Sequence, residues 1–275
     1  MKLRVITGVV GAIILVGMNF TRGFLFSTLV AIAALIGLLE FYSVVAKKDI
    51  KPVRVVGYLA ALSIAFVPFL DSALGTENAA KTLNFFLLGL FVIVFLLLMI
   101  NMFSTKYNLV DIAVTFFGIF FIPFSFSFVI STKDLRYGDY LVWIIFLGAF
   151  ATDIAAYFVG TRLGKRNIVP TISPKKTTEG AIGGLVGSIL SITIFALFLT
   201  NTEIDIAVYH YIILGVLCGI IAQLGDWAAS SIKRQAGVKD YGTIMPGHGG
   251  LLDRLDSLIF VAPVVYFYLT TIVNI

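Results

Sequence analysis

The chain has 275 residues, 59% of them hydrophobic and 13% charged, with a formal net charge of +5 at pH 7. A soluble domain carries about a quarter charged residues, so this composition excludes one and points to a protein built within a membrane. The basic residues are dispersed among short loops, which fits anionic lipid headgroups and excludes nucleic acid as a partner, and a single cysteine, Cys218, excludes a disulfide framework.

Apolar runs long enough to cross about 30 Å of hydrocarbon, roughly 17 to 25 residues each, fall at about 3–20, 23–45, 54–70, 83–103, 108–130, 140–160, 180–200, 208–231 and 257–273. They predict an all-α, polytopic integral membrane protein of about nine transmembrane helices. The opening MKLR and its apolar run imitate a signal peptide, but no small-residue cleavage site follows and a second run begins at Gly23, so we read a retained first span. The 54–70 run is short and contains Pro68. Prolines 68, 123 and 263 are tolerated in spans because neighbouring helices and water satisfy the freed backbone groups. With the N-terminus inside, 16 of the 20 Lys and Arg residues fall on the cytoplasmic side and only Arg22, Lys81, Lys133 and Arg136 outside, which supports nine spans with the C-terminus out. Residues 1–140 read as scaffold helices. Glu40 and Asp111 are their exceptions, carboxylates near cytoplasmic span ends where they reach water, and both read as structural. Residues 141–275 read as the catalytic region.

The first charged cluster there is ATDIAAYFVGTRLGKRNIVPTISPKKTTEGAIGG, residues 151–184. Asp153 and Tyr157 share a helix face, continued by Gly160 and Gly164. A carboxylate near a span end pairs with a base, lines a wet cavity or binds a cation. The loop from Ser173 to Gly180 holds Lys175, Lys176 and three hydroxyls just before a helix whose free N–H groups favour an anion. A triphosphate fits that description, and a solvated headgroup-binding loop is the plainer alternative. Beyond it, Gly180, Gly184 and Ser188, and likewise Gly183, Gly187 and Ser191, have the small-x-x-x-small spacing of closely packed helices. Backbone approach to phosphate is confined to the first turn, around Gly180.

In the eighth run Gln223, Asp226, Ser230 and Lys233 lie along one face at its cytoplasmic end. Asp253 and Asp256 share a face if the ninth helix begins near Leu251. Asp226, Asp253 and Asp256 can thus converge, and hard oxygen ligands of this kind suit Mg²⁺. The structural alternative is that they neutralise Lys233, Arg234 and Arg254. Between the two runs the glycines of Pro246-Gly-His248-Gly249-Gly250 allow a sharp turn or a close backbone approach to phosphate.

The order Ser230, Lys233, Arg234, Lys239, Asp240, PGHGG, Asp253, Arg254, Asp256 resembles the signature of the phosphatidate cytidylyltransferase (CDP-diacylglycerol synthase) family, integral membrane enzymes that make CDP-diacylglycerol from CTP and phosphatidic acid. The upstream cluster is similar to the same family's earlier block, and the two cover roughly the C-terminal 45% of the chain; the first 140 residues resemble the family only in being hydrophobic. The resemblance implies a catalytic set of Asp226, Asp253, Lys233, Arg234, Ser230, Lys239, Asp240, His248 and Arg254. It implies nucleotide-site roles for Asp153, Tyr157, Lys165, Ser173, Lys175, Lys176, Thr177 and Glu179, with Gly249 and Gly250. Mg²⁺ on Asp226, Asp253 and Asp256 is the implied cofactor, a second metal or a monovalent cation being an open addition. Because a phosphate nucleophile needs no base, His248 reads as a hydrogen-bond donor or loop organiser. The implied partners are CTP, phosphatidic acid, the bilayer and a second copy in a homodimer. The implied location is a bacterial-type inner (plasma) membrane with the active site facing the cytoplasm. Residue chemistry leaves two alternatives: a CTP-dependent lipid-alcohol kinase with similar metals and lysines, and an ion or lipid transporter using Asp153, Asp226 and Asp253. A transporter commonly places such groups at the bilayer midplane within internal repeats, and no repeat is evident.

Overall fold

The computed structural model describes residues 2–68, 79–199, 202–247 and 249–275, with side chains omitted at 2–6 and 79–87. The described residues are all-α apart from loops and turns. Helix α1 covers Lys2–Asn19, α2 Gly23–Val45, α3 Arg54–Ser63 and α4 Ala79–Phe103. They are followed by α5 Leu109–Asp134, α6 Gly138–Leu163, α7 Thr178–Leu199, α8 Val208–Gln235 and α9 Leu252–Val273. Six helices among the described residues are long and apolar enough to cross a membrane, namely α2 extended to Lys48 and α5 to α9; the described parts of α1, α3 and α4 are shorter apolar helices. The chain is therefore an all-α polytopic membrane protein, and six is the number of spans that length and composition support there.

The helices match the predicted runs with instructive differences. Helix α3 is regular only to Ser63 and tightens into a 3₁₀ turn at Ile64–Phe66; positions 69 and 70 of that run lie outside the described residues. Helix α5 absorbs Pro123 in a π-helical turn, Phe120–Phe124, a common response to the proline's missing N–H and bulky ring. Helix α9 starts at Leu252, before its apolar run, because its first turn carries the charged Asp253 and Arg254.

The chain divides into two compact units, residues 1–131 with 240–254, and residues 132–239 with 255–275. In the first, Tyr42 of α2 is fully buried and its hydroxyl donates to the Thr115 carbonyl at 3.0 Å. Asp111 closes a capping box with Asn108 at the start of α5 and accepts the Lys51 N–H at 2.6 Å. Asp111 is thus structural, but by capping and at 2% exposure, not by reaching water. In the second unit α6, α7 and α8 pack on small residues. A Cβ on Gly184 would sit 3.0 Å from the Thr152 carbonyl, one on Gly215 2.6 Å from Ile189 Cα, and one on Gly187 would collide with Ala155. The glycine and serine spacing seen in the sequence is helix packing, which in lipid depends on close backbone approach.

Candidate active site

The C-terminal end of α8 carries the expected polar stripe on one face. Gln223 donates to the Ala181 and Gly219 carbonyls at 3.2 and 2.7 Å, which seats α8 on α7. Asp226 is in direct ionic contact with Lys176, and its other oxygen accepts the Ser230 hydroxyl at 3.4 Å. Lys233 is buried, with Nζ 3.7 Å from Asp256 Oδ2. The helix stops just beyond, because Gly237 takes φ +73° and its N–H bonds the Arg234 carbonyl while the Val238 N–H bonds that of Lys233. This double closure needs a left-handed residue, which glycine supplies without strain.

The loop between α6 and α7 folds back on itself. Asn167 and Thr177 form an antiparallel bridge, the Ile168 N–H bonds the Lys176 carbonyl at 3.0 Å and the Thr178 N–H bonds that of Arg166 at 2.9 Å. Glu179 accepts the Lys165 N–H at 2.9 Å and the Arg166 N–H at 3.4 Å. Thr177 caps α7 by accepting the Gly180 N–H at 3.2 Å. Arg234 reaches over from α8 and donates to the Ile172 carbonyl at 3.2 Å and the Val238 carbonyl at 3.0 Å. These contacts aim neighbouring lysines differently: Lys175 is exposed, whereas Lys176 turns into the cluster.

Helices α6 and α9 complete that cluster. Asp153 Oδ2 accepts the Ser257 hydroxyl at 3.0 Å, and Asp256 Oδ1 accepts the Ser257 N–H at 2.9 Å. Burial pulls the Lys176 ammonium down to about 8, against the carboxylates of Asp153 and Asp256, which hold it up, while Lys233 also lowers it. Asp153, Asp226 and Asp256 thus gather about Lys176, and Asp256 also faces Lys233.

The 240–254 segment belongs to the first unit. Met245 and Gly249 form an isolated bridge, and Gly247 and Gly249 take φ of +79° and +88°, so these glycines make the sharp turn anticipated before the last helix. Asp253 Oδ2 accepts the Tyr241 N–H at 2.7 Å and the Gly250 N–H at 2.9 Å, closing the loop. Glu40 Oε1 accepts the Leu251 N–H at 3.0 Å and Oε2 the Leu252 N–H at 2.8 Å. Glu40 is 5% exposed, so it too does not reach water. Lys239, Asp240 and Arg254 are exposed, and His248 lies outside the described residues.

Of the residues singled out in the sequence, the second unit brings together Asp153, Lys176, Asp226, Ser230, Lys233 and Asp256. Tyr157 is 65% exposed on α6. Lys165, Thr177 and Glu179 build the loop, and the Gly180 N–H that was a candidate for phosphate is engaged by Thr177. Ser257 is a site residue that the sequence reading missed, a small side chain hidden at the start of an apolar run. Among the described residues no three His, Cys, Asp or Glu side chains are grouped to hold a metal ion. Asp226 engages Lys176, and Asp253 engages backbone N–H groups. Mg²⁺ usually needs only one or two carboxylates, completing its shell with water and substrate phosphate. The carboxylate-rich donor set around Lys176 and Lys233 fits that demand.

Comparison with known proteins extends the likeness beyond both motifs. The model of the Cytidylyltransferase family matches residues 2–272, so the N-terminal half takes part in it as well. A phosphatidate cytidylyltransferase of Bacillus subtilis is 32% identical over 270 residues, 98% of this chain and 97% of that protein. Those of Staphylococcus saprophyticus and Staphylococcus haemolyticus are each 32% identical, the first over 99% of this chain and all of that protein, the second over 96% of both.

Proposed function

The chain belongs to the Cytidylyltransferase family, and from that premise we propose that it transfers the cytidylyl group of CTP to phosphatidic acid, releasing pyrophosphate and giving CDP-diacylglycerol. It is a membrane-embedded nucleotidyltransferase. The observation that carries the assignment of the site is the cluster in which Lys176 touches Asp226 and Lys233 faces Asp256.

The chemistry asks for such a cluster. The phosphate monoester of phosphatidic acid has a second pKa of about 6, if it follows other phosphate monoesters, and is largely dianionic near neutral pH. Its oxygen attacks the α-phosphorus of CTP in line, the bond to the β-phosphate oxygen breaks, and pyrophosphate leaves with that electron pair. No general base is needed. What the protein supplies is position and charge: two anions must approach, and negative charge grows on the leaving oxygens. Lys176 is the candidate partner of the triphosphate, carried by a loop that Arg234, Glu179 and Thr177 hold in place. Lys233 is the candidate partner of the lipid phosphate, with Ser230 beside it. We assign Arg234 the holding of that loop, since two of its N–H groups already serve backbone carbonyls. Asp226, Asp253 and Asp256 are the candidate Mg²⁺ ligands, each to be tested singly, and bound Mg²⁺ would neutralise charge on the triphosphate.

The site belongs, in this reading, on the cytoplasmic face of a bacterial plasma membrane, where CTP is present and phosphatidic acid exposes its headgroup. The excess of basic residues in the loops assigned to that side supports the orientation and the count of nine spans. Assembly as a homodimer rests on family resemblance alone and is testable by light scattering in detergent. The reaction itself is tested by incubating the purified protein with CTP and Mg²⁺ and following pyrophosphate. Release that depends on added phosphatidic acid is expected; release that ignores the lipid would reject the proposal.

A further inference from the structure

Glu40 belongs to neither motif, yet the structure builds the 241–252 loop around it. Its two carboxylate oxygens take the N–H groups of Leu251 and Leu252, more than two hundred residues away. Those donors are at the start of α9, where the first turn of a helix leaves N–H groups without intrahelical partners. Leu251, which precedes the helix, has no side-chain oxygen to cap it, so Glu40 supplies the cap from another helix. A negative charge is favoured there, and a buried carboxylate needs such donors.

The surroundings show that the fit is mutual. A Cβ on Gly250 would lie 2.5 Å from Glu40 Oε2, and one on Gly242 would collide with Oε1. Both glycines therefore leave room for this carboxylate. Their chain neighbours are held by the other acid of the loop: Asp253 takes the N–H groups of Tyr241, beside Gly242, and of Gly250 itself. Two carboxylates thus gather four backbone donors, one from α2 and one from the helix that the loop enters. We propose that Glu40 is a positioning residue, which sets the path of the 241–252 loop and through it the orientation of Asp253. Its importance for catalysis rests on the assignment of Asp253 and this loop to the cytidylyl-transfer site. Its hold on the loop does not.

The test uses the full-length protein in detergent and two variants, Glu40→Gln and Gly242→Ala. The first replaces one acceptor oxygen with an amide that cannot accept, and the second leaves the carboxylate but crowds it. Hydrogen exchange at Leu251 and Leu252 should accelerate by about tenfold or more in both. kcat should fall by about 10- to 100-fold, the range found when a group that orients a ligand-bearing residue is lost, while the KM for CTP changes little. Unchanged exchange at Leu251 and Leu252 in Glu40→Gln would overturn the hold on the loop. Accelerated exchange with unchanged kcat in both variants would overturn its link to catalysis. If one variant fails to fold, the other decides. A parent protein that shows no transfer would remove the reading of the site, and exchange would still decide the role of Glu40.

Discussion

Lys176 touches Asp226 directly, joining the loop before α7 to the polar face of α8. The contact is part-exposed, with side-chain exposures of 29% and 22%, so its direct contribution to stability is small after solvent screening. We assign it a chemical role. Asp226→Asn keeps an acceptor for Ser230 but removes the charge that faces Lys176. kcat should fall by about 100-fold or more, with the folded fraction and Tm near those of the parent. Near-normal turnover across a Mg²⁺ titration would take Asp226 out of the reaction.

Lys175 and Lys176 should not be equivalent. Lys176→Gln is expected to raise the KM for CTP by about tenfold or more, the equivalent of a charge-assisted contact of roughly 1.5 kcal/mol, with a smaller effect on the KM for phosphatidic acid. Lys175→Gln, at an exposed position, should change the KM for CTP less. A Lys176→Gln variant defective mainly toward phosphatidic acid would reassign the loop to the lipid headgroup.

The packing of the second unit gives a stability contrast. Gly187→Val forces a branched side chain against Ala155, where even a Cβ collides; overpacking of this kind costs about 1 to 3 kcal/mol, and Tm in detergent should drop. Gly89→Ala adds a methyl with nothing within 4 Å, so Tm should hold or rise. Equal effects of the two would mean that α6 and α7 are not packed on Gly187.

Much of the fold was legible because the bilayer demands length: an apolar run of span size has little choice but a helix, and even Pro123 could be kept inside one. The site was only partly legible. Asp226, Ser230 and Lys233 showed themselves through helical spacing and the resemblance. Two adjacent lysines looked alike, since the backbone pairing of 166–168 with 176–178 decides which faces the carboxylates. Glu40 left no pattern, because its partners are backbone N–H groups, and those carry no residue identity. Ser257 was masked by its apolar neighbours, and the charge of Asp253 concealed that it serves as an acceptor for its own loop.

The orientation has its own test. Cys218 is buried against Gly148, and replacing it clears the background for single cysteines at the exposed positions Thr178, Thr202 and Thr243. With a membrane-impermeant thiol reagent on intact cells, only the cysteine at 202 should react before permeabilisation. Reaction at 178 or 243 would put the loops on the side opposite to CTP.

The most direct test of cytidylyl transfer follows one phosphorus atom. Purified protein is incubated with phosphatidic acid, Mg²⁺ and CTP labelled at the α-phosphorus, and in parallel with CTP labelled at the γ-phosphorus. The α-label should enter the lipid fraction as CDP-diacylglycerol, while the γ-label leaves as pyrophosphate. Transfer of the γ-label to lipid, with the α-label remaining in CDP, would contradict the account and identify a lipid kinase instead.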